Sequence, residues 1–264
     1  FLDTQYIAQT WPGEVSRNLS GAEVGILSTQ DNTVITMTLP VSVTGRTEPA
    51  GSTLTLTLNA GQSTLLSTPA PNSFSGMIVH GNKPFSMFQG NSLAGIPAGS
   101  PSGDFIFEQA IPTRYWGTEY VIVSNGSRQQ GSKALITSLE NNCHVTGDVN
   151  LTLQAGGTAE IDIPYNCVRV LTSDKPICVG YYHLSSDYYG PAGDASQMML
   201  PSMDRGVKRA IVKGHRTTRI STAYLNIVTR AGNANNISMN GNNIGSQFTT
   251  SGGYSYARIN IGTL

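Results

Sequence analysis

The sequence predicts an all-β protein: tandem, internally repeated β-sandwich units, about two and a half copies, packed into one elongated body. Three observations lead there. The stretch at 103–123, GDFIFEQAIPTRYWGTEYVIV, returns at 193–212 as GDASQMMLPSMDRGVKRAIV, and from Pro112 to Val123 the copies align without a gap. Repetition of this kind marks one supersecondary plan used more than once. Apolar residues alternate with Thr and Ser at period two, the spacing of a half-buried strand. Gly, Pro, Asn or β-branched residues interrupt every apolar window of helical period, so no long helix is expected.

Along the chain, residues 1–20 form an N-terminal segment without a clear period. Tyr6 and Ile7 suggest a short strand, paired in cis or in trans, and Trp11, Pro12 and Gly13 a turn. The first unit is placed at 21–123. Val24 and Ile26 open it, and Val34 to Leu39 follow the turn formers Asp31 and Asn32. TLTLTL at 53–58 puts three Leu on one face and three Thr on the other; Asn59, Ala60 and Gly61 then signal a tight hairpin back through 63–67. Met77 to Val79 lead into a second expected turn, Gly81-Asn82-Lys83-Pro84, before Phe85 to Phe88.

The second unit is placed at 124–212 and retraces these steps. GSKALITSLENNCHVT at 131–146 lies over GAEVGILSTQDNTVIT at 21–36, LTLQAG over LTLNAG, and SDKPICVG over GNKPFSMF. A partial third unit, 213–264, opens with YLNIVTRAGNANNISMNG and closes on GYSYARINI. Units of roughly 90–110 residues suit sandwiches and are too long for propeller blades or solenoid turns.

Composition excludes several classes. Lys+Arg and Asp+Glu are 16 each and charged residues only 12%, so there is no basic excess for nucleic acid. No apolar run is long enough for a membrane helix. FLDTQYIAQTW lacks the basic and apolar regions of an intact signal peptide. A surface supplied by Thr, Ser, Asn, Gly and Gln suits a secreted β protein.

The odd count of three cysteines leaves at least one thiol out of any pairing within the chain. A Cys143–Cys167 disulfide is expected, with Cys178 buried in its apolar run; the alternative is three reduced core thiols. Four sequons place glycosylation candidates at Asn18, Asn125, Asn150 and Asn236.

No catalytic residue is assigned. His80, His144, His183 and His215 sit in no nucleophile or metal motif, and Ser, His and Asp within 183–187 are too close along the chain to converge as a triad. Asp104 with Glu108 is a poor acid–base pair, because Met198 stands at the second position of the repeat. The repeated Gly-Asp reads as a turn whose Asp caps backbone N–H groups. Calcium is the sharper reading, with Asp187 and Asp194 as its candidates, but these are two carboxylates where calcium takes about six to eight oxygens. No cofactor is expected, and no metal site is assigned.

The best binding candidate is the aromatic loop containing Tyr182, His183, Asp187, Tyr188 and Tyr189, since Tyr combines rigid area with a hydroxyl. Its alternative is packing of the loop on its own body. Trp116 joins the list, with packing at the joint between units as its alternative; Arg205 replaces it in the second copy.

KPFSMFQGN at 83–91, DFIFEQAIPTRYWGTEYVIV at 104–123, SDKPICVGYY at 173–182, GDASQMMLPS at 193–202, YLNIV at 224–228 and GYSYARI at 253–259 resemble the N-terminal domain of the IgG Fc-binding protein family, in the family's order. The resemblance implies secreted, non-catalytic modules of mucus-associated or cell-surface proteins. Animal members carry a cysteine pair around the loop at 91–103, which has none here. The expected function is an extracellular binding, adhesion or scaffold module of mucus, matrix or cell surface. Its partner would be an extracellular protein or glycoprotein, or a further copy of itself, with neither nucleic acid nor membrane insertion. The alternative is a structural subunit polymerising by β-strand pairing; a glycan-active enzyme ranks last.

Overall fold

The computed structural model describes residues 1–14, 20–125, 130–189, 193–214 and 223–262. It is all-β, and its helical elements among these residues are single turns. Seven strands make the first sheet: β1 (Asp3–Ile7), β2 (Ser20–Ser28), β3 (Thr33–Thr38), β4 (Thr53–Leu58), β5 (Ser63–Pro69), β6 (Ile78–Ala94) and β7 (Asp104–Gln109). Their order is β4-β3-β6-β2-β5, with β1 and β7 also on β6. The second sheet contains β8 (Gly117–Val123), β9 (Ser132–Ser138), β10 (Cys143–Gly147), β11 (Leu151–Leu153), β12 (Thr158–Ile163), β13 (Val168–His183) and β14 (Ser196–Leu200). Its order is β11-β10-β13-β9-β12, with β8 and β14 also on β13, so every label of the first sheet is advanced by seven.

The central strand organises each sheet. β6 is 17 residues long; its first part pairs with β1 and β3, and its second with β2 and β7. Both parts contribute to one core, where Tyr6, Val24, Ile26, Ile35, Met37, Leu66, Phe74, Val79, Phe85 and Met87 meet, so the sheet curls around it. The second core repeats this with Tyr120, Ile136, Val145, Leu171, Ile177 and Val179. Each buried side chain of this size contributes about 1.5–3 kcal/mol.

Matched polar contacts fix the two bends. Tyr6 Oη donates to Phe85 O at 2.8 Å, and Tyr120 Oη to Ile177 O at 2.7 Å. Asn82 Oδ1 accepts from the Val34 amide, as Asp174 Oδ1 accepts from His144. Lys83 Nζ donates to Asp31 O, and Lys175 Nζ to Asn142 O. Asn32 and Asn142 take left-handed φ angles of 53° and 52° in equivalent turns.

One expected turn and one expected hairpin are corrected. The residues at 81–84 lie inside β6, because side chains and a lysine satisfy the backbone of neighbouring strands there and let one strand pass from one part of the sheet to the other. The 59–62 turn exists, with the Gln62 amide donating to Asn59 O, but β4 and β5 do not pair. β4 follows β3 and β5 follows β2, so that turn carries the chain across the sheet. The alternation of 53–58 holds: Leu54 is buried and all three Thr are exposed.

The Cys143–Cys167 disulfide is also corrected: all three thiols are free. Cys143 Sγ lies 3.6 Å from Lys175 O, whereas Cys167 immediately precedes the first residue of β13. Eight residues of extended chain separate those levels, on the order of 25 Å, far beyond the roughly 7 Å Cα limit for a bridge. Cys178 is buried in its apolar run, and burial pushes its thiol up to about 12.

The N-terminal strand β1 pairs in cis with β6, and β8, read from sequence as the end of the first unit, belongs to the second sheet. The remaining strands, β15 (Tyr224–Arg230), β16 (Ser238–Met239), β17 (Asn242–Asn243), β18 (Thr249–Ser251) and β19 (Tyr254–Asn260), form a three-stranded sheet β15-β19-β18 and a two-stranded one. Their small core gathers around Ile244, Ala257 and Ile259. Arg258 donates to Ser124 O, Asn226 to Val123 O, and Arg230 pairs with Glu119, which ties this body along β8 and the residue after it.

Candidate functional site

The two seven-stranded sheets meet in a joint built by the residues that follow β1. Gln9 is 1% exposed, and its amide nitrogen donates to Thr137 Oγ1 at 2.8 Å, Leu135 O at 3.1 Å and Cys178 O at 3.3 Å. Its backbone N–H donates to Gln89 Oε1 of the first sheet. One residue thus links both sheets. Trp11 packs against Tyr182 with the rings tilted and 5.2 Å between centroids, and its indole N–H donates to Gly95 O at 2.8 Å. Ala94, Ile96, Ile106, Leu135, Leu184 and Ala195 complete this cluster. A second patch places Ile7, Trp116 and Cys178 together, with the Trp116 indole donating to Ile111 O.

The tyrosine loop is therefore divided. Tyr182 and Trp116 are buried in the joint, where neither presents a surface to a partner. Packing at the joint, the alternative for Trp116, is where it lies. His183 is half-buried, with Nδ1 2.7 Å from Ser196 Oγ and its ring edge-on to Tyr181. Asp187 is the second residue of the single-turn helix α1 (Ser186–Tyr189), and its Oδ2 accepts from Ser100 Oγ and the Ser102 amide, both at 2.7 Å. Ser185 exchanges bonds with Ile96 across the same seam. Tyr188 is 42% exposed above it. Tyr189 continues α1, but its side chain is outside the described residues.

The calcium candidates are not brought to one place by these contacts. Asp187 caps Ser100 and Ser102, while Asp194 Oδ1 accepts from the Ala195 amide, a capping turn of the expected kind. Among the described residues no group of three or more His, Cys, Asp or Glu side chains is placed to hold a metal ion. What sequence reasoning missed is that the two aspartates of the repeat face each other: Asp104 starts β7, Asp194 precedes β14, and those strands adjoin. Burial first, and then the facing Asp194 carboxyl, push Asp104 up to about 6. Its buried Oδ2 receives no hydrogen bond; once protonated, the carboxyl is itself the donor toward Asp194. Glycosidase carboxylates stand at least about 5 Å apart around a sugar, which this contact leaves no room for.

Of the sequons, Asn150 and Asn236 are exposed and Asn125 is half-buried, its amide donating to the Tyr181 hydroxyl; Asn18 lies outside the described residues.

A second surface was not singled out from sequence. On the outer face of the first sheet, Gly25, Leu27, Leu65, Phe88 and Phe107 line a groove of about 370 Å³. Leu65 is 59% and Phe105 64% exposed, and Phe105, Phe107 and Phe88 stack in succession at 5.7 and 5.9 Å. The available signal was DFIFEQ, in which Phe105 and Phe107 share one face of a strand while Ile106 takes the other.

These features define an all-β module of two like sheets, with a sealed joint between them and an aromatic surface on the first. A family model described as IgGFc binding protein matches residues 1–263, and the chain belongs to that family. It is also similar to the human IgGFc-binding protein, 24% identical over 274 residues, which covers 99% of this chain and 5% of the relative's length. No solved structure matches the chain.

Proposed function

We propose that this chain is a non-catalytic extracellular binding module of the adhesion or scaffold kind. It binds a protein partner through the outer face of the first sheet. The observation that carries this reading is the Leu65, Phe88, Phe105 and Phe107 surface, because solvent-facing aromatic rings gathered on a rigid sheet are costly to keep without a partner. Phe and Leu supply apolar area, and the sheet backbone holds them at little entropic cost on binding. The exposed Tyr188 and Asp187 lie at the seam as a secondary contact. Secretion accords with the uncharged polar surface; among the described residues no helix is long and apolar enough to cross a membrane.

The family's name supplies the first ligand to try. Immobilised chain is exposed to purified human IgG Fc and, as a control, to Fab. We expect Fc binding that falls more than about tenfold in Phe107→Asp, since a charge in an apolar contact is desolvated without a partner. No Fc binding, or binding untouched by Phe107→Asp, rejects this face as an Fc site.

A further inference from the structure

The outer face of the first sheet has a sister on the second, and there the face is already covered. Gly25 of β2 stands opposite Phe88 of β6, and at the equivalent place Leu135 of β9 stands opposite Gly180 of β13. Each pair sets a glycine against a large apolar residue and so leaves a dimple. On the second sheet a chain segment fills it: a Cβ at Gly180 would come within 2.3 Å of Gln9 Oε1, and Trp11 packs with Leu135. On the first sheet a Cβ at Gly25 would meet only side chains of the groove itself, Phe107 at 3.1 Å, Phe88 at 3.7 Å and Leu65 at 3.8 Å, and among the described residues no other chain segment lies across it.

The chain also holds a strand-like segment without a sheet. Residues 206–212 align without a gap on β8, the strand at 117–123 that pairs with β13 and buries Tyr120 and Ile122. After residue 205, however, the chain joins no strand among the described residues until β15, and all of 206–212 is exposed. Val207 is 75%, Ile211 93% and Val212 52% exposed. In an extended conformation Val207, Arg209 and Ile211 share one face.

Charge matches as well. Glu23 is two residues before Gly25 on β2, so it shares the groove's face; it is opposite Gly90, which pairs with Phe107. Glu23 is only 9% exposed, and burial alone raises its pKa. A guanidinium laid along the groove would offset that desolvation, and Arg209 lies between the two apolar side chains.

We infer that residues 206–212 of one copy of this chain dock across the outer face of the first sheet of a second copy, with Val207 and Ile211 in the groove and Arg209 toward Glu23. This inference rests on the binding-face reading above and names its occupant. Donor and acceptor lie on different surfaces, so the contact is heterologous and propagates head to tail.

The experiment is sedimentation velocity over a rising concentration series, for wild type, Ile211→Asp, Phe107→Asp and an equimolar mixture of the two variants. Ile211 has almost no contacts to lose within its own chain, so its substitution leaves the fold intact, which matched melting curves check. We expect wild type to associate progressively, each variant alone to weaken association by more than about tenfold, and the mixture to stop at dimers, since one intact donor and one intact acceptor remain. A wild type that stays monomeric throughout, or association unchanged by Ile211→Asp, overturns the second copy as occupant. If that monomer still binds Fc in a Phe107-dependent way, the binding face stands and only its occupant was misnamed; loss of both overturns both readings.

Discussion

The first and second seven-stranded sheets share strand order, core positions and even the tyrosine that braces each bend, yet their outer faces have opposite fates. The second sheet's face is sealed by Gln9 and Trp11, while the equivalent face of the first is an aromatic groove. The exchange of Gly25 and Phe88 for Leu135 and Gly180 shows how small the underlying change is. One fold seats a chain segment on that face in one copy and presents it to solvent in the other. The difference between structural joint and binding surface is thus one of what lies across the sheet rather than of the sheet itself.

The seal over the second sheet is where the two faces differ most, and breaking it should have the largest effect. Trp11→Ala removes the ring that covers that sheet, and we expect a loss of about 3–5 kcal/mol, read as a drop in the urea midpoint. A loss below about 1 kcal/mol would mean that the joint is not the seal described. The two bends offer a matched test of smaller size. Tyr6→Phe and Tyr120→Phe each delete one buried hydroxyl donating to a carbonyl, and each is expected to cost about 1 kcal/mol. Strongly unequal costs would show that the two copies, alike in geometry, differ in how their bends are supported.

The smallest effect concerns the facing aspartates. Asp104 is held above its ordinary value of 3.8, at about 6, so the folded chain keeps this proton through a pH range in which the unfolded chain has lost it. The stability it contributes is full below the unfolded value and is lost as pH rises through about 6. Asp104→Asn removes that dependence. The difference in melting temperature between wild type and Asp104→Asn should therefore move against wild type between pH 4 and pH 7, modestly because the carboxyl is partly solvated. A difference that stays flat across this range would separate the two carboxyls energetically.

Much of the architecture was legible because the relevant signals are local. TLTLTL alternates, and its Leu residues do turn inward while its Thr residues stay wet. The repeat placed β9 over β2 and β13 over β6, and the sheets follow that correspondence. Reading failed where a local signal has two tertiary outcomes. Asn59, Ala60 and Gly61 make a turn whichever strand comes next, and only the partners that β4 and β5 find, β3 and β2, decide that the chain crosses the sheet there. Lys83 and Pro84 look like a break, yet the Asn82 and Lys83 side chains bond the backbone of Val34 and Asp31, and β6 continues through them.

The candidate site was legible only in part for the same reason. Tyr182 and Tyr188 have the same composition around them, but one is buried under Trp11 and the other is at the surface. Cys143 and Cys167 looked like partners until the register put them at different levels of β13.

The sequence alone determined that this chain is all-β and carries one strand plan twice, because period-two alternation, turn residues and self-similarity are properties of neighbours along the chain. The tertiary structure alone decided that β1 pairs in cis, that the repeated aspartates meet, that one sheet face is sealed and its sister open, and that residues 206–212 lie outside any sheet. Each of these depends on which surfaces residues far apart in sequence bring together, and no spacing along the chain encodes that.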